Sequence, residues 1–171
     1  MSAQHIVVMG VSGSGKTTTG TALAALMGWP FVEGDSFHPE VNVRKMAEGI
    51  PLDDTDRAPW LQALADQIAA SEARGESSVL GCSALKRAYR DILRGGAPRV
   101  RFLHIHGPQD LLAERLNHRA GHFFPPKLLE SQLATLEPLQ PDEDGAVVDL
   151  ALPVEDQVRA AVRLLGLSQG S

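Results

Sequence analysis

Short apolar stretches alternate with amphipathic stretches along the whole chain. The apolar stretches are rich in Val, Ile, Leu and Phe, and several end at glycine, which predicts five β-strands at 5–9, 31–33, 78–82, 100–106 and 146–150. The stretches between them predict helices at 17–27, 39–48, 56–74, 84–94, 109–119, 127–136 and 154–165. Strands that are apolar along most of their length need cover on both faces, so this alternation predicts an α/β fold built on a parallel sheet.

The helix predicted at 56–74 has two candidate N-terminal caps, Asp54 and Thr55, and Pro59 is predicted in its first turn. The chain has 171 residues, of which 43% are apolar and 22% are charged. This length and composition, without an internal repeat or a linker, predict one domain over residues 1–171.

Charge and cysteine content exclude several classes of protein. A formal net charge of −5 has the wrong sign for a protein that coats nucleic acid. The longest apolar runs are far shorter than the roughly 20 residues that cross a bilayer, and the first residues carry no secretory pattern. The single cysteine, Cys82, lies in an apolar strand and is interpreted as a core residue rather than a nucleophile. We therefore expect a cytoplasmic protein with neither a nucleic-acid partner nor a membrane partner.

The segment after the first predicted strand, Gly10-Val-Ser-Gly-Ser-Gly-Lys16-Thr17, matches the G-x-x-x-x-G-K-[ST] motif of phosphate-binding loops. Its glycines let backbone N–H groups turn toward phosphate oxygens, and the following helix adds its positive N-terminal end. Lys16 supplies a positive charge for the β- and γ-phosphates, and the Thr17 hydroxyl can bind Mg²⁺. The alternative interpretation is a glycine-rich turn that only joins a strand to a helix. The candidate nucleotide-binding residues of this segment are Gly10, Ser12, Gly13, Ser14, Gly15, Lys16, Thr17 and Thr18.

Asp35 follows the second predicted strand, at the sheet edge where open α/β folds bind ligands. The phosphate loop alone leaves open whether the phosphoryl group goes to water, a protein or a small acceptor. A carboxylate at this position can accept a proton from an attacking hydroxyl. It can equally hold a water bound to Mg²⁺, because the third predicted strand ends without an acidic residue. A third interpretation is that Asp35 caps a turn.

The segment 37–60 contains more hydrogen-bonding groups than packing requires, which is typical of a substrate-facing insert. Its cationic and hydroxyl-recognising groups suit a polyhydroxylated acid better than an apolar ligand. For any one of these residues the alternative is a solvated surface position, and His38 can also cap a helix. The candidate substrate-binding residues of this segment are His38, Lys45 and Arg57.

A serine and two basic residues follow the third predicted strand as a group of candidate substrate-binding residues. Ser83, Lys86 and Arg90 lie at a strand-to-helix transition on the ligand edge of the sheet. Lys86 and Arg90 are four residues apart and share a face of the predicted helix, where they can bind a carboxylate or a phosphate. The alternative is a solvated basic face. On the first interpretation all three residues contact the substrate.

Arg115 and Arg119, also four residues apart, lie on one side of the helix predicted at 109–119, just before Gly121-His-Phe-Phe-Pro-Pro. This combination predicts a lid, with a glycine hinge and two phenylalanines that exclude water. Both arginines would contact the nucleotide, and Arg119 would neutralise charge on the transferring phosphoryl group as a catalytic residue. The alternative is that both pair with Glu114 or other surface acids.

Four segments of the chain resemble the bacterial-type gluconokinases, relatives of shikimate kinase and of the nucleoside monophosphate kinases. They are VMGVSGSGKTT at 8–18, GDSFHPEVNVRKMAEGIPLDDTDRAPWL at 34–61, CSALKRAYRDILR at 82–94 and GHFFPPKLLESQLATLEPLQPDE at 121–143. Many phosphotransferases share the first segment, whereas the other three are specific to these kinases.

The resemblance implies a P-loop kinase with a three-layer α/β/α fold and a five-stranded parallel sheet of order 2-3-1-4-5, with a substrate-binding insert at 37–60, a lid at 115–126 and a homodimer. It implies phosphorylation of D-gluconate at its 6-hydroxyl with ATP and Mg²⁺. By analogy with shikimate kinase, Asp35 would meet the acceptor hydroxyl and Arg57 the substrate carboxylate. Arg115 would stack on the adenine base, and residues 137–140 would line its pocket. The rival hypotheses are another acceptor, namely shikimate, a nucleoside monophosphate or a different sugar acid, and a nucleotide switch without an acceptor.

Overall fold

The structure is a computed structural model that describes residues 3–117 and 126–168. Its described strands are β1 (His5–Met9), β2 (Phe31–Glu33), β3 (Ser78–Gly81), β4 (Val100–His106) and β5 (Gly145–Asp149). Its described helices are α1 (Lys16–Met27), α2 (Glu40–Ala47), α3 (Asp54–Ala73), α4 (Arg87–Arg94), α5 (Gln109–Asn117), α6 (Pro126–Thr135) and α7 (Val154–Leu165), with a 3₁₀ turn at Gly34–Phe37. None of these helices is long and apolar enough to cross a membrane.

The described strands form one parallel sheet in the order β2-β3-β1-β4-β5. Val8 of β1 pairs with Gly81 of β3 on one side and with Leu103 of β4 on the other. This pairing confirms both the predicted parallel sheet and its order. Because the strands are parallel, the loops that follow β1, β2 and β3 all leave the sheet at the same edge.

The sheet is covered by helices on both faces, as β1 illustrates. Ile6 and Val8 belong to the core that the sheet forms with α1 and α7, whereas Val7 and Met9 belong to the core that it forms with α3 and α4. All four side chains are at most 1% exposed. A central strand buried on both faces must be apolar throughout, which is the pattern seen in the sequence. The predicted three-layer α/β/α architecture is thereby confirmed.

Helix α3 begins two residues earlier than predicted because Asp53 caps it. The Asp53 carboxylate accepts the N–H of Asp56 at 2.8 Å, and the Asp56 carboxylate accepts the N–H of Asp53 at 3.1 Å. These two bonds form a capping box. The predicted caps Asp54 and Thr55 are therefore wrong, and Pro59 lies inside the helix, beyond its first turn.

Helix α4 begins later than predicted, at Arg87 instead of residue 84. Ala84 has a φ of 47°, in the left-handed region, so the chain cannot be helical there. Residues 82–86 consequently form an irregular connection at the edge of the sheet. The carbonyl oxygen of Ser83 accepts the N–H of Gly10 at 3.3 Å, which brings this connection beside the loop that follows β1.

Candidate active site

The phosphate loop, residues 10–17, joins the end of β1 to the start of α1. Gly13 has a φ of 85°, and a Cβ atom there would lie 2.7 Å from Cγ of Leu116 in α5. A Cβ atom at Gly10 would lie 2.7 Å from the carbonyl oxygen of Ile105 in β4. Only glycine fits these two positions, so the loop is wrapped closely against β4 and α5. The first N–H groups of α1 have no acceptor inside the helix, which suits this end of α1 to binding an anion.

The Lys16 side chain folds back over the phosphate loop. Its Nζ donates hydrogen bonds to the carbonyl oxygens of Gly10 at 2.9 Å and Val11 at 3.1 Å. The ammonium group therefore stays at the mouth of the loop, on the side where a ligand would enter. The Ser14 hydroxyl is different, because it is buried and has no hydrogen-bond partner in the described part of the chain. The predicted loop is formed, and its contacts with a nucleotide stay a prediction.

Two cavities meet at this edge of the sheet. The loop cavity, of about 270 Å³, lies over the phosphate loop. The insert cavity, of about 190 Å³, lies between α6 and the segment 38–60. Ser12, Lys16 and Asp35 line both cavities, so ligands in the two can touch beside these residues. The loop cavity is lined by Ser12, Gly13, Gly15, Lys16, Thr17, Thr18, Glu33, Asp35 and Arg115.

Asp35 lies on the 3₁₀ turn directly after β2. Its side chain is exposed and borders both cavities. The interpretation of Asp35 as the cap of this turn is wrong, because the cap is Glu33, whose side chain accepts the N–H of Asp35. The Asp35 carboxylate is therefore available to a ligand at the junction of the two cavities.

Glu33, which was not among the predicted site residues, contacts Thr17 in the loop cavity. The Thr17 hydroxyl donates a hydrogen bond to Oε2 of Glu33 at 2.5 Å. Glu33 pairs with Gly81 of β3, which sets it at the carboxyl edge of the sheet. The sequence did contain a signal for it, since Glu33 is an acidic residue at the end of a predicted strand, two positions before Asp35.

Helix α6 supplies a wall of the insert cavity that the sequence analysis missed. Leu128, Ser131, Gln132 and Thr135 line the cavity, at the spacing of one helix face. Gln132 also joins α6 to the phosphate loop, because its Oε1 accepts the N–H of Ser12 at 2.7 Å and its Nε2 donates to Oγ of Ser12 at 2.9 Å. The polar spacing is visible in the sequence, but no local signal says that this face meets a cavity.

The facing wall includes three of the predicted substrate-binding residues, His38, Arg57 and Ser83. The His38 ring is stacked on Trp60, with ring centroids 4.0 Å apart and an angle of 17° between the planes. Trp60 in turn donates from Nε1 to the carbonyl oxygen of Gly34 at 2.8 Å. Burial and the nearby Arg57 charge lower the pKa of His38 to about 4, so His38 is neutral at pH 7.

Arg57 is held against α4 by Tyr89. Its Nη1 donates to the Tyr89 hydroxyl at 3.1 Å, and its Cζ lies 5.3 Å from the centroid of the Tyr89 ring. The Tyr89 hydroxyl donates to Asp54, which also accepts from Nζ of Lys86 at 3.2 Å. These two hydrogen bonds lower the pKa of Asp54, so its carboxylate stays charged. Lys86 consequently lies in a shallow depression beside the insert cavity rather than in its wall.

Besides Lys86, two more predicted substrate-binding residues do not line the insert cavity. Nζ of Lys45 contacts both carboxylate oxygens of Asp56, at 2.8 and 2.9 Å, and thereby ties α2 to α3. The prediction for Arg90 is wrong, because its side chain is fully buried. Nε and Nη2 of Arg90 donate to the two carboxylate oxygens of Glu143 at 2.7 and 2.9 Å, and Nη1 donates to the carbonyl oxygen of Ala84 at 2.8 Å. Arg90 therefore braces the core and is not a ligand-binding residue.

Arg115 borders the loop cavity, and its Nη2 donates to the carbonyl oxygen of Leu150 at 2.7 Å. Arg115 thus lies between the phosphate loop and the end of β5. The segment 137–140 does not line the loop cavity and is instead attached to α4, where Glu137 accepts the N–H of Arg87 at 3.0 Å. Arg119 and residues 118–125 of the predicted lid lie outside the described residues.

The chain matches the family model described as an AAA domain over residues 6–139. It is 52% identical over 145 residues to a gluconokinase of Gluconobacter oxydans, which covers 85% of this chain and 80% of that protein. It is 45% identical over 166 residues to the thermosensitive gluconokinase of Escherichia coli, which covers 95% of this chain and 89% of that protein. The crystal structure of a gluconokinase from Sinorhizobium meliloti matches with a TM-score of 0.88 at 50% identity, covering 95% of this chain and 91% of that one. With its phosphate loop, parallel sheet and these relatives, the chain belongs to the gluconokinase family of P-loop kinases.

Proposed function

We propose that this protein transfers the γ-phosphoryl group of ATP to the 6-hydroxyl of D-gluconate, giving 6-phosphogluconate and ADP. The observation that carries this function is the junction of the loop cavity and the insert cavity beside Lys16 and Asp35. A phosphoryl donor in one cavity and an acceptor in the other would meet there. The relatives named gluconokinase support gluconate as the acceptor.

The loop cavity is the proposed site of the ATP phosphates. Lys16 would exchange its two carbonyl partners for β- and γ-phosphate oxygens. Arg115, which also lines this cavity, would add positive charge and contact the nucleotide. The proposed catalytic role of Arg119 is supported by the sequence alone.

The residues of the loop cavity also fit Mg²⁺. The Thr17 hydroxyl and the Glu33 carboxylate offer oxygen ligands at one point, where the two side chains are 2.5 Å apart. No cluster of three or more His, Cys, Asp and Glu in the described ranges could hold a metal, which suits an ion held mainly by phosphates and water. Thr17 and Glu33 would hold Mg²⁺, which would supply positive charge to the phosphates. A Glu33→Gln variant should therefore need several-fold more Mg²⁺ for half-maximal rate, with an unchanged KM for gluconate.

The insert cavity is the proposed site of gluconate. Arg57 would bind the substrate carboxylate, because its guanidinium lines this cavity, is held in place by Tyr89 and has the planar shape that suits a carboxylate. Ser83, Ser131 and Thr135 offer hydroxyl groups to the polyol chain. With the carboxylate on Arg57, the other end of the substrate would lie at Asp35, which borders both cavities.

The chemistry proposed at the junction is an in-line displacement. The 6-oxygen of gluconate forms a bond to the γ-phosphorus while the bond from that phosphorus to the β–γ bridging oxygen breaks, and the hydroxyl proton passes to Asp35. A primary alcohol is a poor acid, so Asp35 accepts the proton late and mainly orients the hydroxyl before that. Positioning and electrostatic stabilisation by Lys16 and the loop N–H groups supply most of the rate enhancement.

A coupled assay of ADP release tests this function against its rivals. The acceptors are D-gluconate, shikimate, a ribonucleoside monophosphate and none, each with ATP and with GTP, and a Lys16→Ala preparation controls for contaminating kinases. We expect gluconate-dependent release with a product phosphorylated at carbon 6, read by ³¹P NMR. Equal release without an acceptor would point to a nucleotide switch, and faster release with shikimate or the monophosphate would reassign the substrate.

We further propose that the chain acts as a cytoplasmic homodimer of single-domain subunits spanning residues 1–171, with an insert at 37–60 and a lid at 115–126. The resemblance to the gluconokinases supports this arrangement. Light scattering at micromolar concentration tests the dimer, for which the expected mass is twice 18.3 kDa. A single-subunit mass at that concentration would contradict it.

A further inference from the structure

Asn42 of α2 is a fully buried polar residue next to the insert cavity. Its Nδ2 donates a hydrogen bond to the carbonyl oxygen of Asp56 at 2.8 Å and lies 3.2 Å from Nδ1 of His38. Its Oδ1 is buried without a hydrogen-bond partner in the described ranges. An unpaired amide oxygen in the interior lowers the stability of the folded protein, so a specific interaction must hold this side chain in its orientation.

The neighbours of Asn42 determine which way its amide points. The main-chain oxygen of Asp56 can only accept a hydrogen bond, so the atom of Asn42 that faces it must be the amide nitrogen. The reversed amide would set two acceptor oxygens 2.8 Å apart. The second hydrogen of the same nitrogen is then directed at Nδ1 of His38. A ring nitrogen that accepts a hydrogen bond carries no proton, so the proton of neutral His38 is on Nε2.

His38 lines the insert cavity, and its orientation is fixed by the stack on Trp60, which is 2% exposed. The ring atom of His38 that contacts Asn42 is Nδ1, and Nε2 has no hydrogen-bond partner within residues 3–117 and 126–168, so its N–H can donate to a ligand in the cavity. Arg57 lines the same cavity, and its positive charge disfavours protonation of the His38 ring.

We propose that Asn42 is a positioning residue that holds His38 as the neutral Nε2–H tautomer, and that His38 donates a hydrogen bond to a hydroxyl oxygen of the acceptor. The identity of that acceptor as gluconate rests on the proposed function, whereas the tautomer does not. A neutral donor serves a hydroxyl oxygen without competing for the carboxylate. Arg57 then remains the oriented cation for the carboxylate, which sets the direction in which the substrate lies, with its hydroxyl end toward Asp35.

The tautomer can be read directly by long-range ¹H–¹⁵N NMR on protein labelled at the histidine nitrogens. The signals of His38 are those that disappear in the His38→Gln variant. At pH 7 and without ligand, we expect the proton of His38 on Nε2 and an unprotonated Nδ1. A proton on Nδ1, alone or together with one on Nε2, would overturn the proposal.

Two His38 variants test the donor toward the substrate. Because of side-chain length, the amide nitrogen of glutamine reaches the position of Nε2, whereas that of asparagine reaches only the position of Nδ1. We expect His38→Asn to raise the KM for gluconate about tenfold, the effect of one lost hydrogen bond, and His38→Gln to raise it less than about threefold. The KM for ATP should stay unchanged in both variants. An equal effect of the two substitutions on the KM for gluconate would exclude an Nε2 donor.

Asn42→Asp tests the positioning role, because it replaces the donor to Nδ1 with an acceptor of nearly the same shape. We expect a proton on Nδ1 of His38 in the NMR spectrum and a KM for gluconate raised about tenfold, with the KM for ATP unchanged. Wild-type His38 signals in this variant would overturn the role of Asn42. If the variant does not fold, the wild-type spectrum still tests the tautomer of His38, and the two His38 variants still test its hydrogen bond to the substrate. A wild-type protein with the Nε2–H tautomer but no gluconate-dependent activity would contradict the proposed function and support the tautomer.

Discussion

The Arg57 guanidinium donates a hydrogen bond to the Tyr89 hydroxyl, 3.1 Å away, and faces the Tyr89 ring, whose centroid is 5.3 Å from Cζ. This contact joins α3 to α4 beside the insert cavity. Tyr89 is itself held by its hydrogen bond to Asp54. Arg57 is therefore oriented before any substrate binds, which lowers the entropic cost of binding a carboxylate there.

Replacing Tyr89 with Phe removes the hydroxyl and keeps the ring under Arg57. Because one hydrogen bond to a charged group is lost, we expect the KM for gluconate to rise about three- to tenfold. The kcat and the KM for ATP should change by less than about twofold, because Tyr89 does not line the loop cavity. Steady-state ADP release measures all three. A lower kcat with an unchanged KM for gluconate would contradict the role of Tyr89 in orienting Arg57.

Asp35→Asn keeps the size of the side chain and removes the base. If Asp35 accepts the proton of the 6-hydroxyl, kcat should fall by about 10²–10⁴, with ATP binding unchanged in a titration. Asp66→Asn is the matched control, because Asp66 is an exposed residue of α3 whose hydrogen bond is to Gln62. Retention of most of the turnover by Asp35→Asn would show that Asp35 is not the base.

Glu143 should be required for stability. It accepts hydrogen bonds from both Arg90 and Arg94, and its side chain is fully buried, as is that of Arg90. Glu143→Gln leaves the buried Arg90 without its counter-charge, whereas Arg94 keeps its ion pair with Asp91. We therefore expect the free energy of unfolding in urea to fall by about 3–5 kcal/mol. The control Asp142→Asn, which affects an exposed ion pair with Arg87, should change it little. Similar losses in the two variants would contradict the importance of the buried pair.

Glu143 also predicts how stability depends on pH. Burial alone would raise its pKa, but the hydrogen bonds from Arg90, the Gln140 N–H and Arg94 outweigh burial and lower the pKa from 4.5 to about 2. Since the lowered pKa belongs to the folded protein, the stabilisation is present above about pH 4.5 and is lost as the pH falls toward 2. The urea midpoint should therefore fall less steeply across this window in Glu143→Gln than in the wild-type protein. Parallel slopes would contradict this assignment.

Cys82 should be unreactive in the folded protein. Its side chain belongs to the core on the α3 and α4 side of the sheet and is 1% exposed, which confirms its interpretation as a core residue. Burial raises the pKa of its thiol to about 12, so almost no thiolate forms at pH 8. We expect an aromatic disulfide reagent to label one thiol per chain in guanidinium chloride and essentially none in buffer. Rapid labelling of the native protein would contradict this environment.

Local sequence patterns were sufficient to predict where the strands of the sheet lie in the chain. Each strand lies within one residue of its predicted bounds, because the strands are short apolar runs between turn signals. The clearest example is His5–Met9, which is buried throughout. The phosphate loop was equally visible, since its glycines and Lys16 have fixed spacing. The order of the strands came from the family resemblance, because periodicity carries no information on which strands are neighbours.

Long-range contacts account for what the sequence analysis missed. Arginine usually lies at the protein surface, and the partner that allows Arg90 to be buried, Glu143, is 53 positions away in the chain. Gln132 contacts Ser12 across 120 positions, so nothing near α6 indicated that its polar face lines a cavity. Ala84 also adopts a left-handed conformation that its residue type does not signal. The start of α4 is therefore later than predicted, so Lys86 precedes the helix and Arg90 lies inside it.

A crystal structure with a non-hydrolysable ATP analogue, Mg²⁺ and D-gluconate tests the central claim most directly. The account predicts the γ-phosphate beside Lys16, the gluconate carboxylate on Arg57, and the 6-hydroxyl between Asp35 and the γ-phosphorus at the junction of the two cavities. Gluconate bound away from the insert cavity, or bound there with its 6-hydroxyl directed away from Asp35, would contradict it.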